Sequence, residues 1–259
     1  MQTHGEPPSD QLSRAELMLD TLQTEGFLTL TQMVHATGIP RSSAHRLLER
    51  MVKLRWLLRV GDAYEIGVRM FELGSEGVRT HWFYRLVRPH LFELQQRTKL
   101  VVHLAYLDGG DVVYWEKLDG EFGAHIPTRI GSHQPAHRTA LGKALLAAEP
   151  DEYLHAPVFD RMKPGLPLAI VTREQLAREI TKVREDGIAF DRGEGLVDIG
   201  CVASSVSAGH ATSSDGRHTV AAISICGPLD QMDARMVSSV RSASREISRS
   251  VGINPMSKA

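Results

Sequence analysis

Cysteine is scarce in this 259-residue chain, with Cys201 and Cys226 its two examples. That excludes a disulfide-framed secreted domain, and the lack of Cys-x-x-Cys spacing excludes the common structural zinc sites. No apolar run approaches the ~20 residues of a membrane-spanning helix. The opening MQTHGEPPSD also lacks the apolar core of a signal peptide. A cytoplasmic chain with no membrane partner is therefore expected, and neither a cofactor nor a metal is called for. Excess charge of one sign is missing too: the formal net charge is -1, which argues against a protein that coats nucleic acid through general basicity. No internal repeat is visible. What is present is an ordinary globular composition, 42% hydrophobic, enough for one large or two medium domains with buried cores.

The charge is balanced overall but not locally. Between Gly38 and Val60 stand Arg41, Arg46, Arg50, Lys53, Arg55 and Arg59 against the single acid Glu49, a local charge of about +5. The surrounding residues 29–66 read as a DNA-reading module. Thr29-Leu30-Thr31-Gln32 fits a capping box at a helix start, and Leu30, Met33 and Val34 then share one face. Gly38 ends that helix in the left-handed conformation. Pro40 suits the first position of the next. Ala44, Leu47, Leu48 and Met51 form the second helix's inner stripe, which leaves Arg41, Ser42, Ser43, His45, Arg46 and Arg50 on or near the opposite side. Such a helix fits the major groove, where Arg and Ser reach base edges and flanking cations meet phosphates. Leu57–Val60 and Ala63–Ile66 flank the turn pair Gly61-Asp62 and read as the hairpin wing, with Arg59 toward the minor groove or the backbone. The plain alternative is a helical hairpin whose basic face is merely solvated.

The remaining chain divides by pattern. Residues 1–10 form a polar tail, and residues 11–67 form a winged helix-turn-helix domain that opens with a helix over Gln11–Thr24, its inner face formed by Leu12, Ala15, Leu19 and Leu22. Residues 68–85 form a helical linker: Val68–Leu73 reads as a short helix ending near Gly74 and Gly77, and a second helical pattern runs from Trp82 to Arg97 with a bend or restart at Pro89. Residues 86–259 carry a mixed layout. Strands are expected at Val101–Leu107, Val112–Glu116, Ile188–Asp191, Cys201–Ser207 and His218–Cys226. Asp108-Gly109-Gly110 and Ser214-Asp215-Gly216 are turns. Helices are expected at Thr139–Ala148, Thr172–Asp186 and Asp230–Val251. The fold class is α+β, an antiparallel sheet with helices on it.

At these residues the chain resembles the isocitrate lyase regulator (IclR) family of bacterial transcription factors, over Gln11 to Val251. The match is carried by TGIPRSSAHRLLERM, VVHLAYLDGGDVVY, HRTALGKALLA, GIAFDRGEGLVDIGCVASSV and VAAISICGP, in that order. Gly187, Asp191, Glu194 and Cys201 fall at the spacing of the family's C-terminal signature. Ser207-Ala208 departs from it, where an aromatic and then Asp or Asn is usual. The resemblance implies a GAF-like C-terminal domain that binds a small metabolite and modulates affinity for a double-stranded DNA operator. One reading helix covers only a half-site, so a homodimer or dimer of dimers is expected, with the connector around 68–97 as the dimerising element, acting as a repressor or alternatively as an activator. Carried over by position, the effector contacts are Ala140, Leu141, Asp191, Cys201, Ser224 and Cys226. Many relatives have Gly at the position of Ala140 and Ser at that of Cys226, which implies a slightly smaller and less polar pocket.

The residues agree with that implication on their own chemistry. Thr139 can cap the helix that follows, leaving the amides near Ala140 and Leu141 to receive a carboxylate, so an organic acid suits the site. Ser224 and Cys226, two apart on a strand, point the same way. Plainer readings stand beside these. Cys201 and Cys226 could be simple core packing, or a redox pair if their strands are adjacent. Asp191 could accept hydrogen bonds from a ligand hydroxyl or from the backbone. His133 and His137 could ligate a metal or be structural, with the structural reading preferred. Trp115 and Phe122 are read as core. A cytosolic thiol hydrolase using Cys201 is the alternative from another class, although no local Cys-His pattern supports it.

Overall fold

The computed structural model describes residues 7–162, 166–212 and 218–253. The expected turn at Ser214-Asp215-Gly216 and most of the expected tail lie outside them. The chain divides into two compact units, with the boundary along the chain between His81 and Trp82. The stretch read as a connector, 68–85, is thus split: its first helix goes with the first unit, and residues from Trp82 onward go with the second.

In the first unit, helix α1 (Gln11–Glu25) starts where the Ser13 N–H donates to the Asp10 carboxylate at 2.9 Å. Its buried residues are Ala15, Met18 and Leu22. Leu12 was expected inside but is 74% exposed: the buried stripe passes through positions 15, 18 and 22, and the first turn projects beyond the core it covers. Strand β1 (Phe27–Thr29), three residues long, follows. Helix α2 (Leu30–Thr37) has the expected capping box, with the Gln32 N–H donating to Thr29 Oγ1 at 3.3 Å and the Thr29 N–H to Gln32 Oε1 at 2.9 Å. It stops at Gly38, whose φ of 70° is the left-handed conformation.

Buried Ile39 anchors the turn into helix α3 (Arg41–Lys53). Pro40 is the residue before the first helical position, with an extended ψ of 136°, not the first helical residue. Strands β2 (Leu57–Val60) and β3 (Ala63–Ile66) form the hairpin, and β1 adds to it in the order β1-β3-β2. One core, including Met18, Leu22, Met33, Ile39, Ala44, Leu48, Met51 and Tyr64, joins the three helices to the hairpin. Helix α4 (Val68–Thr80) runs on through Gly74 and Gly77 where an end was expected. Glycine in a helix interior costs only about 1 kcal/mol relative to alanine, which weakens a helix without stopping it.

In the second unit, helix α5 (Trp82–Thr98) contains Pro89 without ending there; Pro89 is exposed, and Phe83, Val87, Leu91 and Leu94 are buried. A six-stranded sheet follows, built from β4 (Val101–Asp108), β5 (Asp111–Leu118), β6 (His133–Pro135), β7 (Ala189–Arg192), β8 (Ile199–Thr212) and β9 (His218–Pro228). Its order is β6-β5-β4-β9-β8-β7, and each neighbouring pair is antiparallel.

Strand periodicity gives the sheet two faces. Val102, Leu104, Val202, Ile223 and Ile225 face α5 and helix α8 (Ala234–Ile253), and Trp115 and Phe122 pack against the same core, as read. Ala105, Tyr114, Ala203 and Ala222 face helices α6 (Ala140–Ala148) and α7 (Arg173–Asp186). All of α6 from Ala140 to Leu146 is buried. The Arg184 guanidinium of α7 donates to the carbonyls of Ala147 and Glu149 at 3.0 and 2.8 Å, satisfying acceptors at the end of α6.

Candidate DNA-reading helix and ligand pocket

On α3 the residues picked from the sequence lie on two flanks of the exposed surface. Arg41, Ser42 and His45 border a shallow depression with Leu30 of α2, whereas Ser43, Arg46 and Arg50 line a cleft against Gln11 and Arg14 of α1. Ser43 is half-buried there, and the other five are exposed. No side chain caps α3, so the N–H groups of its first turn are open to solvent or to an anion.

The cations are not equivalent. Arg41 Nη1 donates to Thr31 Oγ1 at 3.1 Å, and Arg55 pairs with Glu72 of α4 at 3.2 Å. Arg59 pairs with Glu49 at 3.4 Å, donates to the Gly61 carbonyl at 3.1 Å, and lies 5.7 Å from the centre of the Tyr64 ring. The Tyr64 hydroxyl donates to the same Glu49 oxygen at 3.3 Å. The one acid of the basic stretch thus ties the wing to the reading helix. Arg41, Arg46, Arg50 and Lys53 form no ion pair with the described residues, so the positive field is centred on these four more narrowly than a residue count suggests.

In the second unit, Ala140, Leu141, Asp191, Cys201, Ser224 and Cys226 come together around one cavity of about 140 Å³. Thr139 Oγ1 accepts from the Gly142 N–H at 2.9 Å and its carbonyl from the Lys143 N–H at 3.0 Å. The N–H groups of Ala140 and Leu141 are left without a partner among the described residues, at the positive end of α6. The opposite wall is a run of polar groups. His103 Nε2 lies 2.8 Å from Thr128 Oγ1, His103 Nδ1 lies 3.7 Å from Cys226 Sγ, and Ser224 Oγ lies 3.8 Å from Cys226 Sγ. Tyr114 meets the His103 ring edge-on at 5.0 Å, and burial pushes its phenol well above the usual range. Ile126, Pro127, Leu196 and Ile199 supply apolar wall.

Asp191 holds the loop after β7: its Oδ1 accepts from the Glu194 N–H at 2.7 Å and the Gly195 N–H at 3.4 Å. The backbone-acceptor reading describes its contacts. Burial, aided by the neighbouring Glu194 charge, outweighs those bonds and raises its carboxyl to about 6.

Behind the cavity, Lys143 of α6 is fully buried. A lone ammonium there would be far too costly, and it is met by Glu194 at 2.7 Å and Glu179 at 3.8 Å. This pair joins α6 to the loop that carries Gly195 and Leu196. Sequence reasoning missed His103, Tyr114, Thr128, Gln134 and Lys143. A signal existed for His103, because in the strand VVHLAYL it shares a face with Val101 and Ala105. Lys143, inside the apolar helix ALGKALLAA, was likewise legible as a buried charge in need of a carboxylate. His133 is exposed on β6 and His137 is buried apart from it, its imidazole held down to about 4 by burial. The two form no metal cluster among the described residues.

A winged helix-turn-helix unit on the same chain as a sheet unit with a ligand-sized pocket defines a ligand-responsive transcription regulator. Comparison with known proteins narrows this class. Residues 11–61 match the IclR helix-turn-helix domain, and residues 78–252 match the bacterial transcriptional regulator IclR C-terminal domain. The chain belongs to the IclR family. It is 27% identical over 252 residues to the HTH-type transcriptional regulator RhmR of Escherichia coli K12, covering 93% of each chain. It is 26% identical over 227 residues to the transcriptional repressor IclR of the same strain, covering 85% of this chain and 81% of the relative. Among solved structures, an IclR homolog from Microbacterium hydrocarbonoxydans complexed with 4-hydroxybenzoate superposes with a TM-score of 0.76 at 25% identity, covering 95% of this chain and 100% of that one. The Thermotoga maritima IclR gives 0.69 at 27% identity, covering 93% and 98%.

The chain is therefore a DNA-binding transcription regulator with an effector-binding domain. The hydrolase alternative is overturned: the relatives and both domains are those of regulators, and the histidine in the pocket contacts Cys226, not Cys201, the residue it needed. No helix among the described residues is long and apolar enough to cross a membrane.

Proposed function

We propose that this cytoplasmic regulator acts as a repressor whose hold on its operator is changed by a small organic acid seated in the cavity of the second unit. The carrying observation is the pair of N–H groups at Ala140 and Leu141, unpartnered among the described residues, at a helix N-terminus on the wall of that cavity, where they suit a carboxylate. The far wall of His103, Ser224 and Cys226 would meet a hydroxyl or carbonyl on the acid. Asp191 would act by holding its loop, with Cys201 completing the floor. The ligand of the Microbacterium hydrocarbonoxydans homolog, a hydroxylated aromatic acid, is consistent with this class.

On the DNA side, the uncapped first turn of α3 would take a backbone phosphate through the amides of Arg41 to Ser43. Ser42, His45 and Arg46 would face base edges, with Arg50 on phosphate. Arg59 would act mainly by fixing the wing through Glu49. One reading helix covers a half-site, so two copies are required for useful specificity. Helix α4 supports a dimer: it has no buried residue, and Phe71, 73% exposed, shares a face with exposed Val68 one turn earlier.

The test is a thermal-shift series on the full chain with benzoate, 4-hydroxybenzoate and short aliphatic acids, repeated for Ser224→Leu. A ligand specific to the native state at a hundredfold excess over Kd adds about 2.7 kcal/mol. Leucine at 224 should abolish that gain. No response to any acid, or an unchanged response in Ser224→Leu, would reject the pocket assignment.

A further inference from the structure

The cavity floor carries a feature that an anion site does not need: two free thiols facing one another. Cys201 on β8 and Cys226 on β9 are direct register partners in an antiparallel pair. Opposed residues in such a pair have Cα atoms about 4.5–5.5 Å apart, inside the 4.4–6.8 Å range of disulfides. Both residues line the cavity and pack into one small cluster with Val101 and Ile126.

The two thiols also differ in a useful direction. The hydrogen bond from Cys201, reinforced by His103 and Ser224, pushes the Cys226 thiol down against the effect of burial, while Cys201 is pushed up by that same bond and by burial. The asymmetry is also geometric: His103 Nδ1 at 3.7 Å and Ser224 Oγ at 3.8 Å both meet Cys226, so its sulfur is the one placed to attack and Cys201 the one to resolve the product.

We propose that Cys201 and Cys226 form a peroxide-oxidisable dithiol whose reversible closure to a disulfide reshapes the ligand cavity. The Cys226 thiolate attacks one oxygen of a hydroperoxide and the O–O bond breaks. With one proton taken up, this gives a sulfenic acid and releases water or an alcohol. The Cys201 thiol then displaces hydroxide from the Cys226 sulfur, its proton leaving with that hydroxide as water. Two electrons pass from the two sulfurs to the peroxide. A cellular dithiol returns them by thiol–disulfide exchange. In the disulfide the Cys226 sulfur keeps only weak acceptor lone pairs and has neither a proton to donate nor a negative charge to offer His103 and Ser224, so the polarity of the pocket floor changes. This second consequence, unlike the oxidation itself, rests on the ligand-pocket reading.

The experiment uses the reduced full chain with hydrogen peroxide, read by intact mass and by peptide mapping without reduction. Wild type should lose about 2 Da, with a Cys201–Cys226 cross-link that dithiothreitol reverses. Cys201→Ser should instead gain about 16 Da as a sulfenic acid at Cys226, trapped by dimedone. Cys226→Ser should react at least about tenfold more slowly, because Cys201 lacks thiolate character. Stepwise over-oxidation of the two cysteines in wild type with no cross-link would overturn the proposal, as would dimedone labelling at Cys201 that is faster than at Cys226. The thermal shift given by 4-hydroxybenzoate is then compared in reduced and oxidised protein. A shift that is present and equal in both refutes control of the pocket. A shift absent from the reduced protein counts against the acid-binding reading and leaves the cross-link result standing by itself.

Discussion

Replacing Lys143 with methionine is expected to destabilise the second unit by about 3–5 kcal/mol. The side chain is fully buried, 2.7 Å from Glu194 Oε1, and methionine keeps a similar length and volume, so little of the cost comes from a cavity. It comes from Glu194, itself buried, whose Oε2 already has no hydrogen-bond partner and whose Oε1 would lose its cation. For a unit of this size about 2–4 °C of melting temperature accompanies each kcal/mol, so the midpoint should fall on the order of 10 °C. Urea unfolding followed by tryptophan emission is a suitable assay, because Trp82 and Trp115 lie in this unit and Trp56 in the other. The double change Lys143→Met with Glu194→Met removes both charges and should recover most of the loss, since a buried ion pair replaced by apolar groups is often neutral. A single-variant cost below about 1 kcal/mol, or a double variant no better than the single, would refute the reasoning. Because the Glu194 loop carries Gly195 and Leu196 of the cavity wall, acid binding should weaken in the single variant as well.

Other outcomes follow from the same geometry. Burial raises Asp191 to about 6, above the ~3.9 of an unfolded chain. The folded state therefore keeps a proton that the unfolded chain releases, and stability falls as pH rises from about 4 to 6, by on the order of 3 kcal/mol. Asp191→Asn should flatten that slope in denaturant curves taken across the window, and an unchanged slope would remove Asp191 as its source. Gly142→Ala would place a Cβ 2.1 Å from the Ala136 carbonyl oxygen, a backbone atom that cannot swing away. About 1–3 kcal/mol of overpacking cost is expected, together with a displaced α6 N-terminus; a melting temperature equal to wild type would contradict this. Arg46→Ala should change sequence preference in a promoter-fragment binding assay, whereas Arg50→Ala should weaken binding to all fragments and lower the salt slope by roughly one. Equal sequence preference in Arg46→Ala and wild type would remove its reading role.

Much of the first unit could be read without coordinates because its signals are local. The Thr29–Gln32 capping box, the Gly38 stop and the Gly61-Asp62 turn each act within four residues of chain. What was misread there was non-local or weakly coded. Strand β1, at three residues, is too short for periodicity and exists only because it pairs with β3. Helix α4 crosses two glycines that carry no turn-forming conformation. In the second unit, the helices and five of the six strands followed from alternation and caps, and six cavity residues followed from the family resemblance; the three-residue β6 was not read, being too short for periodicity. His103, Tyr114 and Thr128 did not, because they reach the same cavity from β4, β5 and the loop after it.

By itself, then, the sequence determined the order of the longer elements, the basic helix α3 and the capped start of α6, since each depends on neighbours along the chain. Tertiary structure alone decided that Arg59 belongs to Glu49, that Lys143 finds Glu194, and that Cys201 faces Cys226. Those pairings join residues 10, 51 and 25 positions apart, brought together by the hairpin, by the β7–β8 turn and by sheet register. Register is a property of two strands at once: a shift of one residue turns every side chain to the other face, and no single segment encodes it.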